Sequence, residues 1–579
     1  MADGVKSVMV EFNRFGEAGD TFQKGNAYIR TTPDDRSEIK LGLGYREFNR
    51  ALYKLRYRGV TQADADAAVE TLAREADAIF AGLALPSGTG TLQLEVITNA
   101  AELWAFPFEA FARKEDDVVV TRRVRGAFAQ RSEWPPVPKI LFVHAAIDES
   151  DFPASLVRQH VEALSEALRP WASEPRKELL FVEEVYSLPD LQRVRAGDYT
   201  HIHLLAHGIP VDALDGPPFK DWGVRLGRAR TPGVHPAAIA DVLAPRKDLP
   251  VVVTIATCDS ANQSDSAAES YSLAHILHHD GVPVVVASQL PLTMAGSVVL
   301  TREFYTPVLQ GGDVREALHR ARTALRADRN AKHDWMSTVA YVRLAETYGD
   351  QRDRVALKME IAMLREAHDR MDAALRAKDA AALAEVETSI RARITTLAER
   401  EPNIADDDDH LECRGLLANA YKRLAELLFL ANRDPEEQLA SLRTALGHYK
   451  AAFQSDLNKH WQGVQMLALQ AVLDGAFDAT DYAIVLRAAQ NDTKDYWHLG
   501  TLAELYLLSG FAQKPYDILA ATAAVQEFRN LCAGNVDHVD STRRQLLRYT
   551  NWWTPGNQFK TNLGTEAAAL AALLPQENA

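Results

Sequence analysis

Three rhythms of apolar and polar positions run along the 579 residues, and each predicts its own kind of element. Ser7-Val-Met-Val-Glu-Phe12 reads as a strand and is followed by a polar loop. Apolar residues at helical spacing then predict helices over 45–58 and 63–83. Residues 92–97 alternate with period two and 118–121 form a β-branched run, so both read as strands. Between them lies an apolar segment, 103–111, interrupted by Pro107. Beyond Pro135-Pro136, a turn signal, short apolar strands at 139–145, 179–186, 201–206, 251–257 and 282–288 alternate with helical patterns at 153–168, 236–243 and 267–280. Such alternation predicts βαβ units, with a mainly parallel or mixed sheet flanked by helices. Two more helices, 292–309 and 314–326, close this half.

The strands then stop. Residues 355–400 contain neither Gly nor Pro and read as one long helical connector, ended by Glu401-Pro402 and the acidic run 406–409. From 411 onward come helices joined by short turns. Ala420-Tyr-x-x-Leu424, Ala445-x-x-x-Tyr449-x-x-Ala452 and Trp497-x-Leu-Gly place small residues beside Trp, Tyr and Leu wedges, as stacked helix pairs require. The fold class expected is therefore α/β in the N-terminal half, followed by an all-α, helical-repeat-like C-terminal half. The boundaries expected are 1–90, 91–350, 351–405 and 406–579.

Bulk properties narrow this picture. The apolar and charged fractions, 47% and 25%, are those of a globular protein, and the net charge of −15 argues against a general nucleic-acid binder. Three cysteines, Cys258, Cys413 and Cys532, exclude a disulfide framework and point to a reducing compartment, hence the cytoplasm. No leader pattern opens the chain and no apolar run approaches the roughly 20 residues of a membrane helix. No cofactor is expected, because Gly42-Leu-Gly44 lacks the third glycine of a phosphate loop and no Walker motif is present. His275, His278 and His279 share a predicted helix, and His275 and His279 have zinc-ligand spacing. With no third ligand they read as a solvated face, so no metal is expected. Trp552-Trp553 reads as a packed closure.

The chemistry lies at two strand ends. Val252-Val-Thr-Ile-Ala-Thr-Cys258 is an apolar run that stops at a thiol, and His201-Ile-His203-Leu-Leu-Ala-His207-Gly208 has the same construction. In open α/β sheets, chemistry sits just beyond the carboxyl ends of the strands. A lone cysteine there is ordinarily a small hydrophobe, and a lone His-Gly a turn. Both at corresponding strand ends point to a thiol nucleophile (Cys258) with an imidazole base (His207), because a free thiol is little ionised at neutral pH. Main-chain N–H groups at Gly208 and Cys258 would receive the developing oxyanion. Their separation, 258 − 207 = 51 residues, agrees with a histidine about 50 residues upstream of a cysteine nucleophile.

These motifs resemble the CHAT domain, a module related to the caspase and separase cysteine proteases. The resemblance continues through Gly281-Val-Pro-Val-Val-Val-Ala-Ser-Gln289, Phe304-Tyr-x-Pro-Val-Leu and Val314-Arg-Glu-Ala-Leu-His-Arg-Ala321, and includes Ala105-Phe-Pro-Phe-Glu-Ala110 upstream. It spans roughly 90–345. It implies a caspase-like fold, peptide-bond hydrolysis by His207 and Cys258, a protein substrate, and a structural role for His203. It also makes residues 1–90 an extension of the protease module. Thr257-Cys258-Asp259 stands where the family more often has Ala-Cys-Glu, which leaves the nucleophile intact. Asp259, Asp265 and Glu269 are candidates to bind a basic substrate side chain, although each also suits a helix N-terminus. The C-terminal half resembles the TPR-like TRAFs-binding region of apoptosis signal-regulating kinases through 449–458, His460-Trp-x-Gly463 and Tyr496-Trp497. That implies a regulatory protein partner or ligand acting through these helices, and the family context implies bacterial defence or regulated cell death. The competing reading is a non-catalytic signalling scaffold.

Overall fold

The computed structural model describes residues 5–574 except 16–21, 23, 57–59, 87–89, 114–116, 127–132, 150–151, 172–178, 213–219, 246, 262–271, 329, 493–495, 513–516, 533–535 and 552–562. The chain divides into two compact units, Met1–Pro170 with Arg176–Ala356, and Trp171–Pro175 with Leu357–Ala579.

The first unit is organised on one sheet. Its opening part supplies β1 (Lys6–Phe15), β2 (Ala27–Thr31), β3 (Arg36–Lys40), helices α1 (Tyr45–Arg56) and α2 (Gln62–Ile79), β4 (Leu92–Thr98), the short α3 (Ala101–Trp104) and β5 (Val118–Arg122). There follow β6 (Ile140–Ala145), α4 (Ala154–Leu168), β7 (Leu180–Val185), α5 (Leu188–Arg195), β8 (His201–Leu205), β9 (His207–Asp212) and β10 (Lys220–Arg225). The unit continues with α6 (Pro236–Leu243), β11 (Val252–Ala256), α7 (Leu273–His279), β12 (Val284–Ser288), α8 (Met294–Val308), α9 (Val314–Ala327), α10 (Asp334–Ser337) and β13 (Thr338–Val342).

Eleven of these strands form a mixed sheet in the order β3-β2-β1-β4-β5-β13-β12-β11-β8-β6-β7. Strands β1, β4, β5 and β13 run one way, and β12, β11, β8, β6 and β7 run the other; the two sets meet at the antiparallel β12–β13 pair. Every residue of β6, β8, β11, β12 and β13 is buried, as expected of β-branched runs covered on both faces. Helix starts are fixed by side-chain caps, Ser187 on α5, Ser272 on α7, Thr293 on α8 and Asp313 on α9.

The second unit is all-helical, with α11 (Tyr348–Ala377) entering it and α12 (Ala380–Arg400), α13 (Asp407–Leu430), α14 (Pro435–Ser455) and α15 (His460–Asp474) following. Helices α16 (Ala479–Asn491), α17 (Trp497–Leu508), α18 (Ile518–Leu531), α19 (Val536–Asn551) and α20 (Leu563–Ala572) complete it. The repeat-like residues Ala420, Leu424, Ala445, Tyr449, Ala452, Leu499 and Ala503 are all buried, so small residues and wedges form the inter-helix core as expected.

Four features differ from the pattern reading. The polar stretch after β1 holds the β2–β3 hairpin, whose outer strand is largely exposed and so carries no apolar alternation. Strand β13 inserts at the sheet centre, and β9 pairs with β10 as a separate ribbon. The expected single connector is two helices, broken where Lys378 takes a left-handed φ of 55° and Asp379 caps α12. Hydrogen bonds from Lys378 N to Leu375 O (3.2 Å) and from Asp379 N to Ala374 O (2.9 Å) close α11 in a Schellman motif without the usual glycine. The Trp552-Trp553 pair lies outside the described residues.

Candidate active site

Strands β8 and β11 are parallel neighbours in a register that sets Leu205 opposite Ala256. His207 and Cys258 each lie two residues further on, so the register itself brings them to the same edge. The approach is tight: a Cβ added at Gly208 would overlap the carbonyl oxygen of Cys258. Only glycine permits that approach. Cys258 is half-buried, and its thiol faces the Leu292 carbonyl oxygen at 3.7 Å. His207 is half-buried too, with its ring edge-on to Phe152 at 5.4 Å between centroids. It begins β9, where His207 stands opposite Arg225 and Gly208 opposite Val224. Thus the register and the close approach of Gly208 bring His207, Gly208 and Cys258 to one edge of the sheet.

The turn after the cysteine is strained and braced. Asp259 has φ of 57°, a left-handed conformation that costs a non-glycine residue about 1–2 kcal/mol. Ser260 Oγ donates to Thr257 O (3.1 Å) and accepts from Ser288 N (3.2 Å), and Ala261 N donates to Ser288 O (2.9 Å). These bonds tie the turn to the end of β12. Asp259 itself is 3% exposed, with its carboxylate 3.4 Å from the Arg56 guanidinium, which lies over the Trp222 ring at 6.0 Å. The acid expected to meet a basic substrate side chain is instead buried and paired within the fold. Asp265 and Glu269 fall outside the described residues.

The strand-to-helix segment facing the thiol is held by a residue that sequence reasoning missed. Asp334, fully buried, accepts hydrogen bonds from Thr293 N (3.2 Å) and Thr293 Oγ1 (2.5 Å), directly after Leu292. Burial pushes its carboxyl up to about 7, against the opposing effect of the Thr293 bonds. A Cβ at Gly296 would collide with this carboxylate, which explains the glycine in the first turn of α8.

Behind the site, Glu109 and Arg122 form an ion pair with both side chains fully buried, Nη2 to Oε2 at 2.8 Å and Nε to Oε1 at 3.1 Å. Arg122 also donates to the carbonyls of Trp104 (2.8 Å) and Phe106 (2.9 Å) and to Gln289 Oε1 (2.8 Å) at the end of β12. The Phe-Pro-Phe-Glu segment thereby clamps the strand that braces the turn bearing Cys258. Its visible signal was a carboxylate inside an apolar run, which demands a buried partner.

The histidines sort differently from the expectation. His203 is wholly buried, as a structural role requires, with Nε2 3.1 Å from His160 Nδ1; burial depresses both, His160 to about 3. His275 and His278 do not form a solvated face. They are buried, packed edge-on to Trp104 and against Tyr341 respectively, and burial lowers them to about 3 and about 4. Only His279 of the three is half-exposed. Among the described residues no group of His, Cys, Asp and Glu could hold a metal ion. None of their helices is long and apolar enough to cross a membrane.

Comparison with known families places residues 65–343 in the CHAT domain and residues 356–470 in the Tetratricopeptide Repeats-Sensor family. No curated protein matches the chain. Among solved structures, similarity extends to the Arg-specific cysteine proteinase gingipain R, RgpB, at 10% identity over 51% of this chain and 74% of that one, with a TM-score of 0.29. The complex of Porphyromonas gingivalis RgpB pro- and mature domains matches at 10% identity over 51% of this chain and 75% of that one, with a TM-score of 0.30. At such scores these likenesses add nothing to what the sheet and its residues show.

Proposed function

The chain carries a CHAT domain followed by sensor-type tetratricopeptide repeats, and from that premise we propose that it is a cysteine endopeptidase with Cys258 as nucleophile and His207 as general acid and base. The observation that carries this reading is the shared strand-end register, sealed by the contact of Gly208 with the Cys258 carbonyl. His207 takes the thiol proton, and the thiolate attacks the scissile carbonyl carbon. Main-chain N–H groups of Gly208 and Cys258 receive the oxyanion. The intermediate collapses to a thioester as His207 gives its proton to the leaving amine. Water, deprotonated by the same imidazole, then releases the acid and restores the thiol.

The substrate in this reading is a specific protein, and cleavage takes place in the cytoplasm under control of a partner or ligand at the repeat helices, in a defence or cell-death pathway. The match to sensor repeats supports the control. The same match suits a scaffold in which the caspase-like body only docks partners.

A thiol-directed peptidyl electrophile separates the two. Selective modification of Cys258, lost in Cys258→Ala and slowed strongly in His207→Ala, is expected of the protease. No selective labelling, with partners present, would favour the scaffold. Mapping of new protein N-termini in wild-type against Cys258→Ala cells identifies the substrate.

A further inference from the structure

The segment that faces the thiol, residues 289–293, joins the end of β12 to the start of α8. Both of its ends are gripped by α10, a single turn of helix. At one end Gln289 N donates to Ser337 O (2.9 Å). At the other, the Asp334 carboxylate receives Thr293 N (3.2 Å) and Thr293 Oγ1 (2.5 Å). Between them Ser288 Oγ donates to Leu290 O (2.5 Å). Ser288, Gln289, Leu290, Asp334 and Ser337 are all buried, so these bonds are shielded from competing water.

The grip presents the Leu292 carbonyl to the thiol. Cys258 Sγ donates to that oxygen at 3.7 Å. A hydrogen bond made by the neutral form of a group favours that form. A thiol has one proton to give, so the bond to Leu292 competes with transfer to His207. Holding the carbonyl in place therefore keeps the sulfur protonated, whereas the nucleophile is the thiolate.

Other ionisable groups surround the two ends of this arrangement. Asp259, next to the cysteine, is matched by Arg56 of α1 at 3.4 Å. Lys332 and Asp328, on the turn leading into α10, act on the Asp334 carboxyl in opposite senses. His333 beside it is pushed down to about 4 by burial.

We propose that Asp334 and Thr293 are positioning residues for Cys258. Through them α10 holds the Leu292 carbonyl on the thiol, and the sulfur stays protonated while residues 289–293 are in place. This deepens the proposed function and rests on it for the role of Cys258 as nucleophile. The state of the thiol is read without any substrate, so the two can fail separately.

Alkylation of Cys258 by iodoacetamide in the full chain, followed by mass spectrometry of its peptide as a function of pH, tests it. In wild type the half-maximal rate is expected at or above the ordinary thiol value of about 8.5. Thr293→Val and Asp334→Ala should each move that midpoint down by about one pH unit, which speeds alkylation at neutral pH by up to about tenfold. Thr293→Ser keeps the hydroxyl and should match wild type. Unfolding alone would also expose Cys413 and Cys532, both buried, so their labelling marks a variant that has not folded. If Asp334→Ala unfolds, Thr293→Val and the wild-type midpoint decide the matter. A wild-type midpoint well below the ordinary thiol value, or folded variants whose profile stays or moves up, would overturn the proposal. The protease reading fails instead if a peptidyl electrophile leaves Cys258 unlabelled where iodoacetamide reacts.

Discussion

Gly208 lies directly against the carbonyl oxygen of Cys258, with no room between them for a methyl group. The strand that begins at His207 and the turn that carries Cys258 therefore share one fixed separation. Gly208→Ala must push them apart, and a displacement near 1 Å can cost about a hundredfold in rate. Labelling of Cys258 by a peptidyl electrophile should slow by about that factor, with the circular dichroism spectrum unchanged. Labelling at the wild-type rate would show that the contact is not needed.

Asp259 sits left-handed and buried beside Arg56. Asparagine tolerates that backbone better than other side chains. Asp259→Asn should thus lower stability less than Asp259→Ala, with the alanine change costing about 1–3 kcal/mol from strain and from the stranded Arg56. Urea unfolding of the two variants checks the order.

For the fully buried Glu109–Arg122 pair, removing one partner should cost about 3–5 kcal/mol. Replacing both, as in Glu109→Met with Arg122→Met, should cost less than the sum of the single changes. A double-mutant cycle by denaturant unfolding measures the difference, and additive losses would contradict the pairing.

Asp334 imposes a pH dependence whose sign follows from its raised carboxyl, about 7 in the fold against 3.8 ordinarily. The folded chain holds a proton that the unfolded chain releases. The stability this contributes is complete below about pH 4 and is lost as the pH rises through 7. Asp334→Asn keeps an uncharged acceptor for Thr293. Relative to wild type, its unfolding free energy should rise by about 1–3 kcal/mol between pH 4 and pH 8; a level difference would reject this account.

Lys378 ends α11 in a conformation that glycine adopts freely. Lys378→Gly should raise the unfolding free energy of the helical unit by about 1 kcal/mol. A thermal scan of the full chain that shows a drop would indicate that the lysine side chain does something else.

Much of the fold was legible where burial imposes a pattern. The β8 and β11 runs stand out up to His207 and Cys258 because a strand covered on both faces excludes charged side chains and admits mostly apolar ones, with neutral His201, His203 and Thr254 as the polar exceptions. The parts that stayed hidden lack such a signature. The exposed β3 carries no alternation, and the break at Lys378 uses a residue that ordinarily favours helix. Asp334 and Thr293 are 41 residues apart, so nothing local announces their bond. His275 and His278 looked polar in sequence yet are buried as neutral rings, which their formal type does not reveal.

The seam between β12 and β13 has a consequence for the order in which the molecule is born. β13 is the last of the described strands to leave the ribosome, and it occupies the middle of the sheet. Until residues 338–342 emerge, β5 and β12 each offer a bare edge, and the turn bearing Cys258 is braced by a strand that has only one neighbour. A nascent chain thus carries its thiol and imidazole for some eighty residues of synthesis before the keystone arrives, at a typical 5–20 residues per second a delay of several seconds. If the chain cuts peptides through Cys258 as proposed, it stays blunt during that interval, because the turn that carries the thiol is not yet fully braced.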